Sequence, residues 1–278
     1  EQSSANGILL FRETSSILSS YGNRLLAQQV QVDVWKEKYK GVMLVMDTLN
    51  HALSGNYVNF GVFTLYNDNA LQNALDVSLQ LCLSIPLDDV LSFVKLSKAY
   101  FSFLEILFRH HLDVLSGLES AVFLDLIKKN NEGIQSGDSN VVSTCASTID
   151  HIATFLFLNQ NRTNKPTVQR VQAHILSDPT ILSSLLSTCF TSLLFSTNQS
   201  FWPLTRPILS LMLASPDAFT AYHEALAATQ AVESQTKLAK EVEMLLTGLQ
   251  HSLETAHRDK FTQKLTLFRL NVRSFLNI

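Results

Sequence analysis

The stretch Leu118–Asn159 reads LESAVFLDLIKKNNEGIQSGDSNVVSTCASTIDHIATFLFLN, two apolar-striped segments joined by the polar break Gly133-Ile134-Gln135-Ser136-Gly137-Asp138. The first segment places Val122, Leu126 and Ile127 on one side. In the second, Val142, Cys145, Ile149, Ile152 and Leu156 recur at alternating steps of three and four, the spacing that aligns side chains along one helix face. Gly137 is placed to end one helix and Asp138 to cap the next, its carboxylate accepting from free N–H groups of the first turn. The result is a helical hairpin with a greasy seam. One such hairpin cannot bury that seam alone, so neighbours of the same kind are required.

Working outward, the same periodicity predicts helices over 5–27, 33–53, 69–84, 88–111, 180–195, 201–214, 216–229, 232–253 and 257–276, with a short one through Val168, Val171 and Ile175. No period-2 alternation of any length is present, and the fold class is all-α. The segment Ser54–Asp68, SGNYVNFGVFTLYND, is the exception: its turn formers oppose a regular helix, while Tyr57, Phe60, Phe63 and Tyr66 require it to fold against the helices. Pro207, inside 201–214, removes a backbone bond and predicts a kink or late start near Arg206. The helices group as pairs over 5–53, 69–111, 118–158, 180–213 and 216–253, with a terminal helix over 257–276. At about 40–60 residues per pair this describes a degenerate α-α superhelix of the HEAT-repeat type. A closed multi-helix bundle would satisfy the same stripes. Helices such as 92–108 and 180–195, apolar on more than one side, favour stacking.

Composition narrows the functional classes. At 46% hydrophobic and 16% charged over 278 residues, the chain has ample material for a core and is too apolar for disorder. The net charge of −3 provides no bulk field for nucleic acid. The imbalance is regional: residues 1–139 are acidic, 140–278 slightly basic, and Arg258, Lys260, Lys264, Arg269 and Arg273 make the last helix basic, as a solvated terminal face would be. Cys82, Cys145 and Cys189 are too few and too scattered for a disulfide framework, which suits a reducing compartment. Asn161-Arg162-Thr163 and Asn198-Gln199-Ser200 match the glycosylation pattern at the frequency chance allows. No uninterrupted apolar run reaches the ~18 residues of a membrane span, so membrane insertion is not expected. The chain opens Glu-Gln-Ser-Ser rather than with methionine and reads as part of a longer protein.

The chemical motifs are sparse. There is no G-x-S-x-G elbow, Gly-rich phosphate loop or H-E-x-x-H. His110 and His111 are adjacent and point apart on a helix, a poor start for zinc. His151 beside Asp150 reads as an imidazole tied to a neighbouring helix, and Arg206 beside Trp202 as a structural cation–π contact. No catalytic residue, cofactor site or metal site is assigned, and an enzyme is the least favoured class.

Several segments resemble the exportin-7 family within the importin-β (karyopherin) superfamily. They are Asn6–Thr14 (NGILLFRET), Tyr21-Gly22-Asn23-Arg24, Gly55–Phe63 (GNYVNFGVF), Leu65-Tyr66 through Leu75, Ile149-Asp150-His151-Ile152 with Phe155-Leu156-Phe157, and Arg258–Gln263 with Phe268-Arg269. They follow the family's order over nearly the whole chain, with departures at 161–172 and 214–240. The resemblance implies a C-terminal HEAT-repeat array of a nuclear export receptor. Such a receptor binds protein cargo together with GTP-bound Ran and shuttles between nucleus and cytoplasm through contacts with nuclear pore proteins. It also implies that the main Ran-binding surface lies in N-terminal repeats outside this sequence, so no Ran-binding residue is assigned. Second helices of the pairs are expected to line the concave face. Their polar residues Lys36, Lys40, Lys95, Lys98, Ser143, Ser147, Lys237 and Lys240 are the candidate protein contacts. The alternative class is a helical scaffold or adaptor outside nuclear transport.

Overall fold

In the computed structural model the described residues are 5–55, 58–162, 164–196 and 201–276, and among them helices are the only regular secondary structure. They form two compact units, 1–106 and 107–278.

The first unit holds α1 (Ala5–Ala27), a π-helical turn (Trp35–Tyr39) running into α2 (Lys40–Ser54), α3 (Gly61–Leu65), α4 (Ala70–Leu83), α5 (Leu87–Ser92) and α6, which starts at Val94. Its pairs stack flank to flank. Helix α1 lies along both α2 and α4, α2 also meets α4, and Asn50 Nδ2 on α2 donates to the Ala99 carbonyl on α6 at 3.0 Å. The approach of α1 to α4 depends on Gly22, where a Cβ would sit 2.8 Å from a methyl of Val77. We expect Gly22→Val to overpack this crossing and lower unfolding stability by about 1–3 kcal/mol, read from the urea midpoint. The aromatic stretch folds inward as its composition requires. Phe11, fully buried on α1, meets the rings of Phe60 at 4.9 Å and Phe63 at 5.1 Å. Tyr66 corrects that reading, being 73% exposed, and Tyr57 lies outside the described residues.

Two expected boundaries shift here. The helix predicted over 88–111 breaks at Phe93, whose backbone is extended (φ −112°, ψ 98°). The break turns the Phe93 ring onto Trp35, stacked at 5.0 Å, and against Tyr39 at 5.8 Å, and ring burial outweighs helix continuity. The helix opened by Asp33 begins in π geometry, with the Lys40 N–H reaching the Trp35 carbonyl, while Asp33 Oδ1 accepts from the Lys36 N–H at 3.1 Å.

The second unit contains α7 (Leu112–Ser116), α8 (Ser120–Gly133), α9 (Ser139–Leu158), α10 (Pro166–Leu176), α11 (Ile181–Phe195), α12 (Trp202–Ala214), α13 (Pro216–Ala228), α14 (Val232–Leu246) and α15 (Thr255–Val272). The central hairpin forms between α8 and α9, and Asp138 caps α9 by accepting from the Asn140 N–H at 2.8 Å. Gly137 is not the stop. Helix α8 closes earlier, through successive turns from Ile134 to Ser136, and Gly137 lies past that closure. The pair α11/α12 stacks on α8/α9: α8 meets α11, where Asn131 Nδ2 donates to Ser184 Oγ at 3.2 Å, and α9 meets α12. Small buried residues Cys145, Ala146 and Ala153 permit α9 to be covered on two flanks, as a middle repeat must be.

Helix α9 is long and apolar enough to cross a membrane by length and composition, contrary to the run-length reading, yet half of that window is buried in protein. Its apolarity is that of a core helix. Helix α12 runs through Pro207 rather than starting after it, and Ser210 Oγ donates to the Arg206 and Pro207 carbonyls (3.2 Å each) in the turn that follows. Helix α14 ends at Leu246, short of the expected 253, because Gly248 turns the chain through a positive φ of 68°. Helices α13 and α14 touch, and each has a further partner: α13 lies on α11 and α12, and α14 on α15. The Asn198–Ser200 motif and Thr163 lie outside the described residues.

Candidate protein-contact surface

The eight polar residues singled out in the sequence fall on three sets of elements. Lys36 and Lys40 occupy the π-turn and the start of α2, and Lys95 and Lys98 the first turns of α6. All four are exposed. The Trp35–Phe93 stack joins the beginnings of these two helices, so the four lysines sit on neighbouring second helices. Lys36 forms an ion pair with Asp33 at 3.2 Å, and the Lys36 backbone N–H first, then its ammonium, hold that carboxyl below the usual range. The Glu37 carboxylate accepts from the N–H groups of Gln31, Val32 and Asp33, and those bonds lower its pKa. Beneath them the Tyr39 hydroxyl donates to the Asp89 carboxylate. Burial first, then that carboxylate, push the phenol up to about 12, so it stays a donor.

On α9, Ser143 is exposed, whereas Ser147 is half-buried and hydrogen-bonded to His151 Nε2 at 3.3 Å. That contact runs within one helix. Lys237 and Lys240 are exposed on α14, with the Lys237 ammonium 6.0 Å from the Phe275 ring. Their helix leans on α15, not on α9 in the way α12 does.

Sequence reasoning missed the most strongly anchored charged group in this unit. Arg258, assigned to a solvated face, inserts its guanidinium between helices and donates to both oxygens of Asp150 at 2.9 and 3.2 Å. It also reaches Thr154 Oγ1 and the Leu253 carbonyl, each at 3.0 Å. Arg269 behaves similarly. Its Nε donates to the Leu193 carbonyl at 2.6 Å near the end of α11, and its guanidinium lies 4.6 Å from the Phe201 ring. Here the cation–π contact uses Arg269 and Phe201. The one available signal was Asp150 itself, the lone carboxylate of α9, which demands a cation when buried.

Groups with chemical potential are occupied structurally. His174 is buried with Nε2 3.1 Å from the Ser116 carbonyl and Nδ1 2.8 Å from Ser120 Oγ. A carbonyl only accepts, so Nε2 carries a proton, and the two nitrogens tie α10 to the end of α7 and the start of α8. Burial raises the Cys189 thiol to about 12 and Cys145 well above its ordinary value, which leaves both poor nucleophiles at neutral pH. Among the described residues no three His, Cys, Asp or Glu side chains are grouped to hold a metal ion. A cleft of about 330 Å³ between α12, α13 and the turn after α14 is lined by Leu213, Phe219, Leu246 and Leu249, with Gln250 and His251 at its edge.

No protein-family model matches the chain. Among curated proteins it is 38% identical to Exportin-7-B of Xenopus laevis over 97% of its own length. It is 33% identical to Ran-binding protein 17 of Homo sapiens over 99%, and 30% identical to Exportin-7 of Dictyostelium discoideum over 98%. The chain spans about a quarter of the length of each, 26%, 26% and 27% respectively. Over nearly all its residues, then, the chain is a relative of exportin-7 and of the Ran-binding proteins akin to it.

Proposed function

We propose that this chain, taken as the C-terminal segment of an exportin-7-type nuclear export receptor, helps to hold protein cargo in a complex with GTP-bound Ran for passage through the nuclear pore. On this reading the receptor shuttles between nucleus and cytoplasm and touches nuclear pore proteins on the way. The main Ran contacts lie in N-terminal repeats, and the present residues add cargo contacts. The observation that carries the proposal is the match to exportin-7 over 97% of the chain. Further support comes from the architecture inside each unit. Pairs stacked side by side, as α11/α12 is on α8/α9, adjust by small changes at many interfaces, which suits a receptor that wraps its partner. The exposed lysines Lys36, Lys40, Lys95 and Lys98 on neighbouring second helices are the first candidates for that contact, followed by Ser143, Ser147, Lys237 and Lys240.

The test is charge reversal in the full-length receptor, with Lys36, Lys40, Lys95 and Lys98 all changed to Glu. Cargo retained from a nuclear extract on the immobilised receptor plus GTP-bound Ran should fall about tenfold, a magnitude typical of reversing several interface charges. Direct Ran binding should hold. Unchanged cargo retention by a variant with a wild-type melting curve would remove these four residues from the contact. Retention indifferent to Ran would count against the receptor role itself.

A further inference from the structure

At the start of α12, Trp202 and Arg206 stand one helical turn apart on a common face, and both are exposed, Trp202 by 57%. An indole that large does not stay in water for packing's sake. Its ring stacks on Phe201 with centroids 5.3 Å apart and planes 20° from parallel, and Phe201 also meets the Arg269 guanidinium at 4.6 Å. Arg269 is fixed in place by its bond to the Leu193 carbonyl. Burial first, then the nearby charge of Arg273 one turn further along α15, lower its pKa, which marks the two cations as neighbours. One run of contacts thus links Trp202, Phe201 and Arg269, with Arg206 one helical turn from Trp202 and Arg273 one turn from Arg269.

Among the described residues the cations of this cluster face no carboxylate. Elsewhere Arg12 faces Asp68, Lys36 faces Asp33, Lys128 faces Asp178, Lys129 faces Asp125 and Arg258 faces Asp150. Among the described residues no carboxylate pairs with Arg206, Arg269 or Arg273. Of the acids on the adjoining helix α14, Glu233, Glu241 and Glu243, Glu241 is engaged by Asn271 Nδ2 at 2.9 Å.

We propose that this cluster is a docking site for an acidic segment of a partner protein that carries an apolar side chain among its carboxylates. The planar forks of Arg206 and Arg273 match carboxylates in two-point geometry, and the exposed face of Trp202 receives the apolar side chain. A nucleic acid fits less well. Three cations neutralise only a few phosphates, and the rest of a chain with net charge −3 repels a longer polyanion. The site stands on these contacts alone and does not depend on the receptor reading.

The test uses the full 278-residue chain and a fluorescein-labelled peptide of about a dozen residues, glutamates around a central Phe-Leu, read by anisotropy. The matching glutamine peptide and an oligothymidine of similar charge are the comparison probes. We expect the Glu peptide to bind at least about tenfold more tightly than the Gln peptide. Arg206→Glu/Arg273→Glu should abolish about that tenfold, and Trp202→Ala should weaken binding severalfold with an unchanged circular dichroism spectrum. The equally acidic control Lys165→Glu/Arg170→Glu, at exposed positions elsewhere in the unit, should leave affinity intact. Equal affinity for the two peptides, or equal loss in both double variants, would overturn the proposal. Tighter binding of the oligothymidine would overturn it in favour of a nucleic-acid site.

Discussion

Replacing Arg258 with alanine should cost this protein about 3–5 kcal/mol of folding stability, the range for removing one partner of a buried ion pair. Both side chains of the Arg258–Asp150 pair are only 13% exposed. The mutation does more than delete a bond. It strands the Asp150 carboxylate against α15 with neither water nor cation, and it leaves Thr154 without its guanidinium partner. The penalty therefore comes from the group left behind. The double variant Asp150→Asn/Arg258→Met should recover most of the loss, because no bare charge then remains inside. Urea unfolding of the two single variants and the double one measures this directly. A loss below about 1 kcal/mol in Arg258→Ala would mean that water reaches the pair and that it behaves as a surface salt bridge.

Phe11→Ala is the second large expected effect, about 3–5 kcal/mol for emptying a fully enclosed aromatic site. Phe11 has no exposed surface, and its ring is the floor on which Phe60 and Phe63 rest. The segment between α2 and α4 is also held by the short helix α3, by the Asp68 N–H bonded to the Phe63 carbonyl at 2.8 Å, and by the Arg12–Asp68 ion pair. Amide hydrogen exchange at Phe63 and Asp68 should accelerate far more than exchange in α4, since local opening follows the loss of buried contacts. If protection there survives the mutation, the aromatic stretch is anchored by its own turns, and Phe11 only fills space.

These two cases show what sequence alone could reveal. The seam of α9 was legible because Val142, Cys145, Ile149 and Ile152 repeat within one helix, and all four are buried. The inward fold of Phe60 and Phe63 was legible from composition. The break at Phe93 was not, because an extended residue inside a helical pattern is set by rings it meets from another segment, here Trp35 and Tyr39. Gly248 could have been read as a stop, but the leucines at 249 and 253 continued the stripe and hid it. Arg258 and Asp150 lie 108 positions apart, and no local period carries information across that gap. Of the candidate contacts, exposure was well anticipated for the lysines and for Ser143. The half-burial of Ser147 follows from its bond to His151, one turn away.

The π-turn at Trp35–Tyr39 has a consequence on a different timescale. A turn closed by an N–H five residues beyond its carbonyl holds one amino acid more than the ordinary helix requires, as a single-codon insertion would. Loss of that codon would tighten the turn into regular helix while Val42, Met46 and Leu49 kept their phase. Deleting one residue here should therefore change the spacing of Lys36 and Lys40 while α2 keeps its register, with Trp35 and Tyr39 re-seated against Phe93.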